Sequence, residues 1–211
     1  MIARRTIARV MLAIALATHV SGQSSSLAPS QADLDWMSQH YPQMLDDLLP
    51  LKSDVFVSYR SHRDQYTDVP EYSFLIWREP SKNGYGRKQF LSAQIRMADG
   101  ASIYDQMMKM HRADGSETPQ TMRAKIKIKS QQLTEQACPA IQARFAELHK
   151  LKFKVPEVDT TVLHPLIHEF HIGGGAGRMQ LEIHTSDHAL VEWAVGTRKA
   201  LDACIAAGKA N

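Results

Sequence analysis

Beyond residue 22 the chain has no apolar run long enough to cross a bilayer, which argues against a helical membrane span in the bulk of the sequence. No Gly-Lys-Ser/Thr follows its one glycine-rich run, Gly173-Gly174-Gly175-Ala176-Gly177, so that run is not a P-loop. A dinucleotide fingerprint is excluded too, because it needs a helix directly after the glycines to face the phosphates. Here Arg178-Met179-Gln180-Leu181-Glu182-Ile183-His184 alternates polar and apolar residues, which is strand periodicity. There is no HExxH, and the strand-helix-strand alternation of a doubly wound parallel sheet is missing.

What is present begins with Arg4, Arg5 and Arg9, a short apolar core from Val10 to Ala17, and small residues at Val20-Ser21-Gly22. That layout predicts a signal peptide over residues 1–22 and an exported bacterial protein, periplasmic or secreted. The Arg4-Arg5 pair is shared with twin-arginine signals, but its flanking residues match them poorly. No cysteine lies near the cleavage point to carry a lipid anchor. The full chain has a formal net charge of +3, so losing three arginines leaves the mature protein near neutral. The sequence pI of about 8.8 is therefore mostly a property of the signal. Nucleic-acid binding, which rests on surplus Lys and Arg, is not expected.

A mature chain of roughly 190 residues suits one domain with a sizeable core. With 44% hydrophobic and 22% charged residues, wholesale disorder is not expected. Both cysteines, Cys138 and Cys204, lie past the signal, and export would place them where a pair bridges. Each falls on an apolar stripe: Cys138 with Ile141, Phe145 and Leu148, and Cys204 with Trp193, Thr197 and Leu201. Two adjacent helices joined by a disulfide are the expectation.

Residues 23–31 read as a disordered polar tether, and 32–211 as a single α+β domain. Leu34, Met37, Tyr41, Leu45 and Leu48 recur at helical spacing, with Pro42 predicting a kink or a break into two short helices. Three β-rich segments between 54 and 97, with a turn at Lys82-Asn83-Gly84, predict a three-stranded meander. Ser102 and Asp105 open a helix whose methionines, Met107, Met108 and Met110, read as core filling rather than a soft-metal site.

Residues 124–129 alternate strictly, which predicts a strand presenting Lys125, Lys127 and Lys129 on one face. Those lysines would guard a sheet edge or meet an acidic ligand. A helix is expected over 134–150, a linker over 154–161, then a glycine-turned hairpin and a last helix over 187–206, capped by Thr185, Ser186 or Asp187. The meander, the further strand and the hairpin predict a mostly antiparallel sheet with helices on one face.

The hairpin region also carries His164, His168, His171, His184 and His188. Strand parity puts His168 with Phe170 on an apolar face, and Glu169, His171, Glu182 and His184 on the polar one. Two imidazoles and two carboxylates are suitable zinc ligands. With a four-residue turn Glu169 faces Gln180; with a six-residue turn Glu169 faces Glu182 and His171 faces Gln180. Opposed carboxylates need a cation between them, so the second register is the one a metal would require. A non-catalytic binding protein for a protein partner or cell-envelope component is the leading functional expectation. A small zinc-assisted hydrolase using Glu169, His171, Glu182 and His184 is the alternative.

Overall fold

The computed structural model describes residues 28–63, 70–79, 90–113, 115–152, 166–174 and 177–209. The expected signal peptide over residues 1–22, residues 23–27 of the expected tether, the expected Lys82-Asn83-Gly84 turn and 154–161 linker, His164, and Gly175-Ala176 lie outside the described residues. The fold is α+β: six antiparallel strands with five helices.

The first helix, α1 (Gln31–Leu48), begins at Ser30, whose hydroxyl accepts the Asp33 N–H while the Asp33 carboxylate accepts the Ser30 N–H. This capping box ends the tether one residue earlier than expected. Pro42 lies within α1 rather than between two helices. It occupies the exposed side, where water can satisfy the carbonyl that loses its N–H partner, while Met37, Tyr41, Met44 and Leu45 are buried.

Strands β1 (Val57–Arg63), β2 (Tyr72–Arg78) and β3 (Leu91–Ala98) form the expected meander. Helices α2 (Ile103–Ala113) and α3 (Pro119–Lys125) precede β4 (Ile128–Thr134), which pairs with β3 and extends the meander to four strands. After α4 (Ala140–Leu148), the hairpin β5 (Leu166–Gly174) and β6 (Gly177–Ile183) docks on β1, and α5 (Ala189–Lys209) ends the chain. The sheet order is therefore β4-β3-β2-β1-β5-β6.

The expected lysine strand over 124–129 is corrected. Lys125 ends α3, Lys127 follows it, and only Lys129 lies in a strand. Thr118 caps α3 and Pro119 fills its first turn, and these local start signals outweigh the alternation downstream. Met122 and Ile126 then bury as i, i+4 neighbours. The helix expected from 134 begins only after Pro139, because Thr134 is still paired with Ser92.

Helices cover both faces of the sheet, not one. Tyr59, Phe74, Ile76, Ala93, Ile95 and Phe170 pack against Ile141 of α4 and Leu190, Trp193, Ala194 and Leu201 of α5. A second core joins α1, α2 and α3 through Met37, Tyr41, Met44, Leu45, Ile103, Tyr104, Met107 and Met122. The α2 methionines are core filling, as their spacing indicated. Glu71, 1% exposed, ties that core to β2: its carboxylate accepts the Ile103 and Tyr104 N–H groups at the start of α2, and the Tyr41 hydroxyl.

Cys138 and Cys204 are bridged, with Cα atoms 5.6 Å apart and a sequence separation of 66. The bond joins the approach to α4 to the later part of α5 and closes the α-helical layer over the larger core. Replacing both cysteines by alanine is expected to cost about 4 kcal/mol, from the unfolded-chain entropy of a loop this long. Comparing urea midpoints of the oxidised parent and the double variant, with the m-value held in view, measures that loss.

Candidate functional site

Strand alternation gives the sheet one apolar and one polar face. Ser58, Arg60 and His62 of β1 share the polar side with Glu169 of β5 and Glu182 of β6, opposite Tyr59 and Phe170. The hairpin adopts the register with Glu169 opposite Glu182 and His171 opposite Gln180. Pairing continues to Gly174 and Gly177, leaving two residues between the strand ends. Gly173 is required where β5 passes the chain before β1, because an added Cβ would stand 2.8 Å from the Val55 carbonyl oxygen.

This is the register that needs a cation, and the protein supplies one from a third strand. Arg60, 5% exposed, lies opposite Glu169 on β1 and grips it with two hydrogen bonds, Nε to Oε2 at 2.5 Å and Nη2 to Oε1 at 3.0 Å. Its Nη1 donates to Asp46 Oδ1 at 2.8 Å and to the Leu49 carbonyl at 3.4 Å, both at the end of α1. His62 Nε2 approaches Glu169 Oε2 at 3.2 Å. Burial alone would raise the Glu169 pKa, but the hydrogen bonds and charges of His62 and Arg60 prevail and bring it down to about 2. For Arg60, burial opposes the charged form, and Glu169 and Asp46 more than restore it.

The other predicted ligands disperse. Glu182 pairs with His184, Oε1 to Nε2 at 2.5 Å, on an exposed part of the hairpin. His171 Nε2 is buried without a hydrogen-bond partner among the described residues, in a recess of about 230 Å³ beside Ser53 and Arg178. No group of three or more His, Cys, Asp and Glu side chains is spaced to hold a metal among the described residues. Lys125 is paired with Glu117, and Lys129 Nζ lies 2.5 Å from Asp99 Oδ1.

His168 reaches the apolar face, as parity indicated, and is 3% exposed. Tyr72 Oη donates to Tyr59 Oη at 3.2 Å, and Tyr59 Oη is hydrogen-bonded to His168 Nδ1 at 2.7 Å. Burial first, then the charges of His62 and His184, push the His168 pKa down to about 4. His188 caps α5 through Nδ1, which accepts the Leu190 N–H at 3.2 Å, whereas the sequence pointed to residues 185–187.

Among the concavities of the polar face, two bear on this region. One, about 340 Å³, lies under α1 and is bounded by Tyr41, Leu45, Arg60, His62, Glu169 and Glu182. The other, about 510 Å³, opens where α1 no longer covers the sheet. Leu75, Trp77, Gln94 and Gln132 form its floor, with Lys52, Arg78 and Arg178 around it and Asp54 as the acid in its described lining. None of those three cations forms an ion pair among the described residues; Arg78 lies over the Phe56 ring at 5.0 Å. Polar alternation marked Arg178, but the convergence of Lys52, Arg78 and Trp77 depends on long-range register and left no local signal.

Arg60→Met is expected to destabilise the fold by about 3 kcal/mol, because Glu169 would remain half-buried opposite Glu182 without its bidentate partner. Chemical denaturation measures that loss, and Arg60→Met/Glu169→Leu should recover most of it.

Acid should act in two stages. His168 has a lower pKa folded than unfolded, so stability falls as pH drops from about 6.5 towards 4 and the unfolded chain takes the proton first. Glu169 contributes stability above its unfolded value near 4.5 and loses it as pH falls towards 2. Urea midpoints against pH should show a smaller lower stage in Glu169→Gln, with the share of Asp33 remaining, and lose the upper stage in His168→Gln.

No protein-family model, curated protein or solved structure matches this chain.

Proposed function

We propose that this is an exported, non-catalytic binding protein whose ligand is a small anion with a planar apolar part, held in the open cleft of the sheet. One observation carries the reading: Lys52, Arg78 and Arg178 surround the cleft without ion-pair partners among the described residues. Trp77 adds a flat apolar surface to the same lining, and the amides of Gln94 and Gln132 can hydrogen-bond a polar ligand edge. Concavity with convergent polar groups is the usual form of a small-ligand site. The exposed large apolar side chains among the described residues are Phe90 and Val195, too few to favour a hydrophobic protein-docking patch.

The disulfide suits an oxidising compartment and so supports export by the N-terminal signal. No described helix is long and apolar enough to cross a membrane. A zinc-assisted hydrolase would draw on Glu169, His171, Glu182 and His184. It is the weaker reading because Arg60 and His62 already engage both oxygens of Glu169, and His184 is turned to Glu182.

Trimesate, a planar aromatic tricarboxylate, serves as a probe, with Trp77 emission as the signal and Trp77→Phe identifying its share among the three tryptophans. Saturable binding is expected, weakened roughly tenfold or more by Arg178→Glu and by added salt. Equal binding of the neutral triamide, or an unchanged affinity in Arg178→Glu, would overturn the reading.

A further inference from the structure

The polar face carries a second arginine whose situation is the reverse of Arg60. Arg96 of β3 stands between Ser73 on β2 and Ser130 on β4, so neither strand neighbour offers a carboxylate. Its Nε is buried, and among the described residues it has no hydrogen-bond acceptor. A guanidinium N–H removed from water without an acceptor is costly, and native structures rarely leave one so.

Arg96 borders a cleft of about 560 Å³ between the β3–β4 edge of the sheet, the end of α1 and α3. Leu48, Ala124 and Ile128 give this cleft apolar walls. Arg123 stands at its side but is engaged by Asp47, Nη1 to Oδ2 at 3.2 Å. Ser130 Oγ accepts from Gln94 Nε2 at 2.9 Å, which leaves its own hydroxyl proton to donate. The cleft therefore combines an arginine fork without an acceptor, a hydroxyl donor and a hydrocarbon wall.

We propose that this cleft is a second ligand site, separate from the one at Trp77, and that it binds an alkyl carboxylate. The carboxylate meets the two Nη groups of Arg96 end-on, the outer edge of a guanidinium whose Nε is closed to solvent, and accepts from Ser130. The alkyl chain covers Leu48, Ala124 and Ile128. The fork selects against a neutral alcohol, and the apolar walls select against a bare inorganic anion.

Octanoate, octanol and inorganic phosphate are the probes, titrated into the purified disulfide-bonded protein. In proton–nitrogen spectra of arginine side chains, the Arg96 Nε–H resonance should move saturably with octanoate, while the already bonded Arg60 Nε–H stays in place. Arg96→Gln should weaken octanoate roughly tenfold or more, the loss of a charge-assisted pair, and leave trimesate binding unchanged. An Arg96 resonance that does not respond, equal binding to Arg96→Gln, or displacement of octanoate by octanol or phosphate at matching affinity overturns the proposal. If Arg96→Gln does not fold, the wild-type resonance decides the matter alone.

Discussion

The arrangement of the polar face depends on one buried guanidinium. Arg60 accounts for three otherwise unfavourable features: a carboxylate on β5 opposed by another on β6, an acid at the end of α1, and the Leu49 carbonyl beyond it. Its fork fixes the direction in which Glu169 points, and its third nitrogen holds α1 against the strands. A lysine could neutralise the charge but could not present this set of donors in fixed geometry. The ion cluster is a junction between sheet and helix, and α1 stays over only part of the face because it is tied there.

That partial cover produces the clefts. The apolar face is sealed by α4 and α5, clamped by the Cys138–Cys204 bridge, and the polar chain Tyr72–Tyr59–His168 within it is internally hydrogen-bonded. The polar face is spanned by α1 near Arg60 and left open towards Trp77, where concave surface and polar side chains coincide. The α1–α3 core is a separate cluster with its own methionines, so the helical cover of this face is built around Glu71 and Tyr41 rather than poured into the sheet.

How far the sequence speaks depends on the range of the interaction. Parity placed His168 inside and Glu169 outside, and the apolar stripes around Cys138 and Cys204 brought the right helices together, because these are one-element patterns. The alternation at 124–129 misled because Thr118 and Pro119 start a helix that runs through its first residues. From the hairpin alone a cation was needed only if Glu169 faced Glu182, and the register with Gln180 was the electrostatically easier one. The neighbour that compensates Glu169 left no local signal: Arg60 is 109 residues away in sequence, and only the pairing of β1 with β5 brings them together. A local reading could therefore offer only a metal, as an alternative, where the fold places an arginine beside Glu169.

The same range effect explains how a chain with a formal net charge of only +3 can present a locally basic surface. Net charge is a sum, but binding responds to charges left uncompensated in one place. On and around the polar face the acids Asp46, Glu71 and Glu169 are consumed by internal contacts with α1, α2 and Arg60. Lys52, Arg78, Arg96 and Arg178 have no such partners among the described residues. Folding thus spends carboxylates inside the structure and leaves cations at the openings. The separation arises from register rather than composition, so the overall charge carries no information about it.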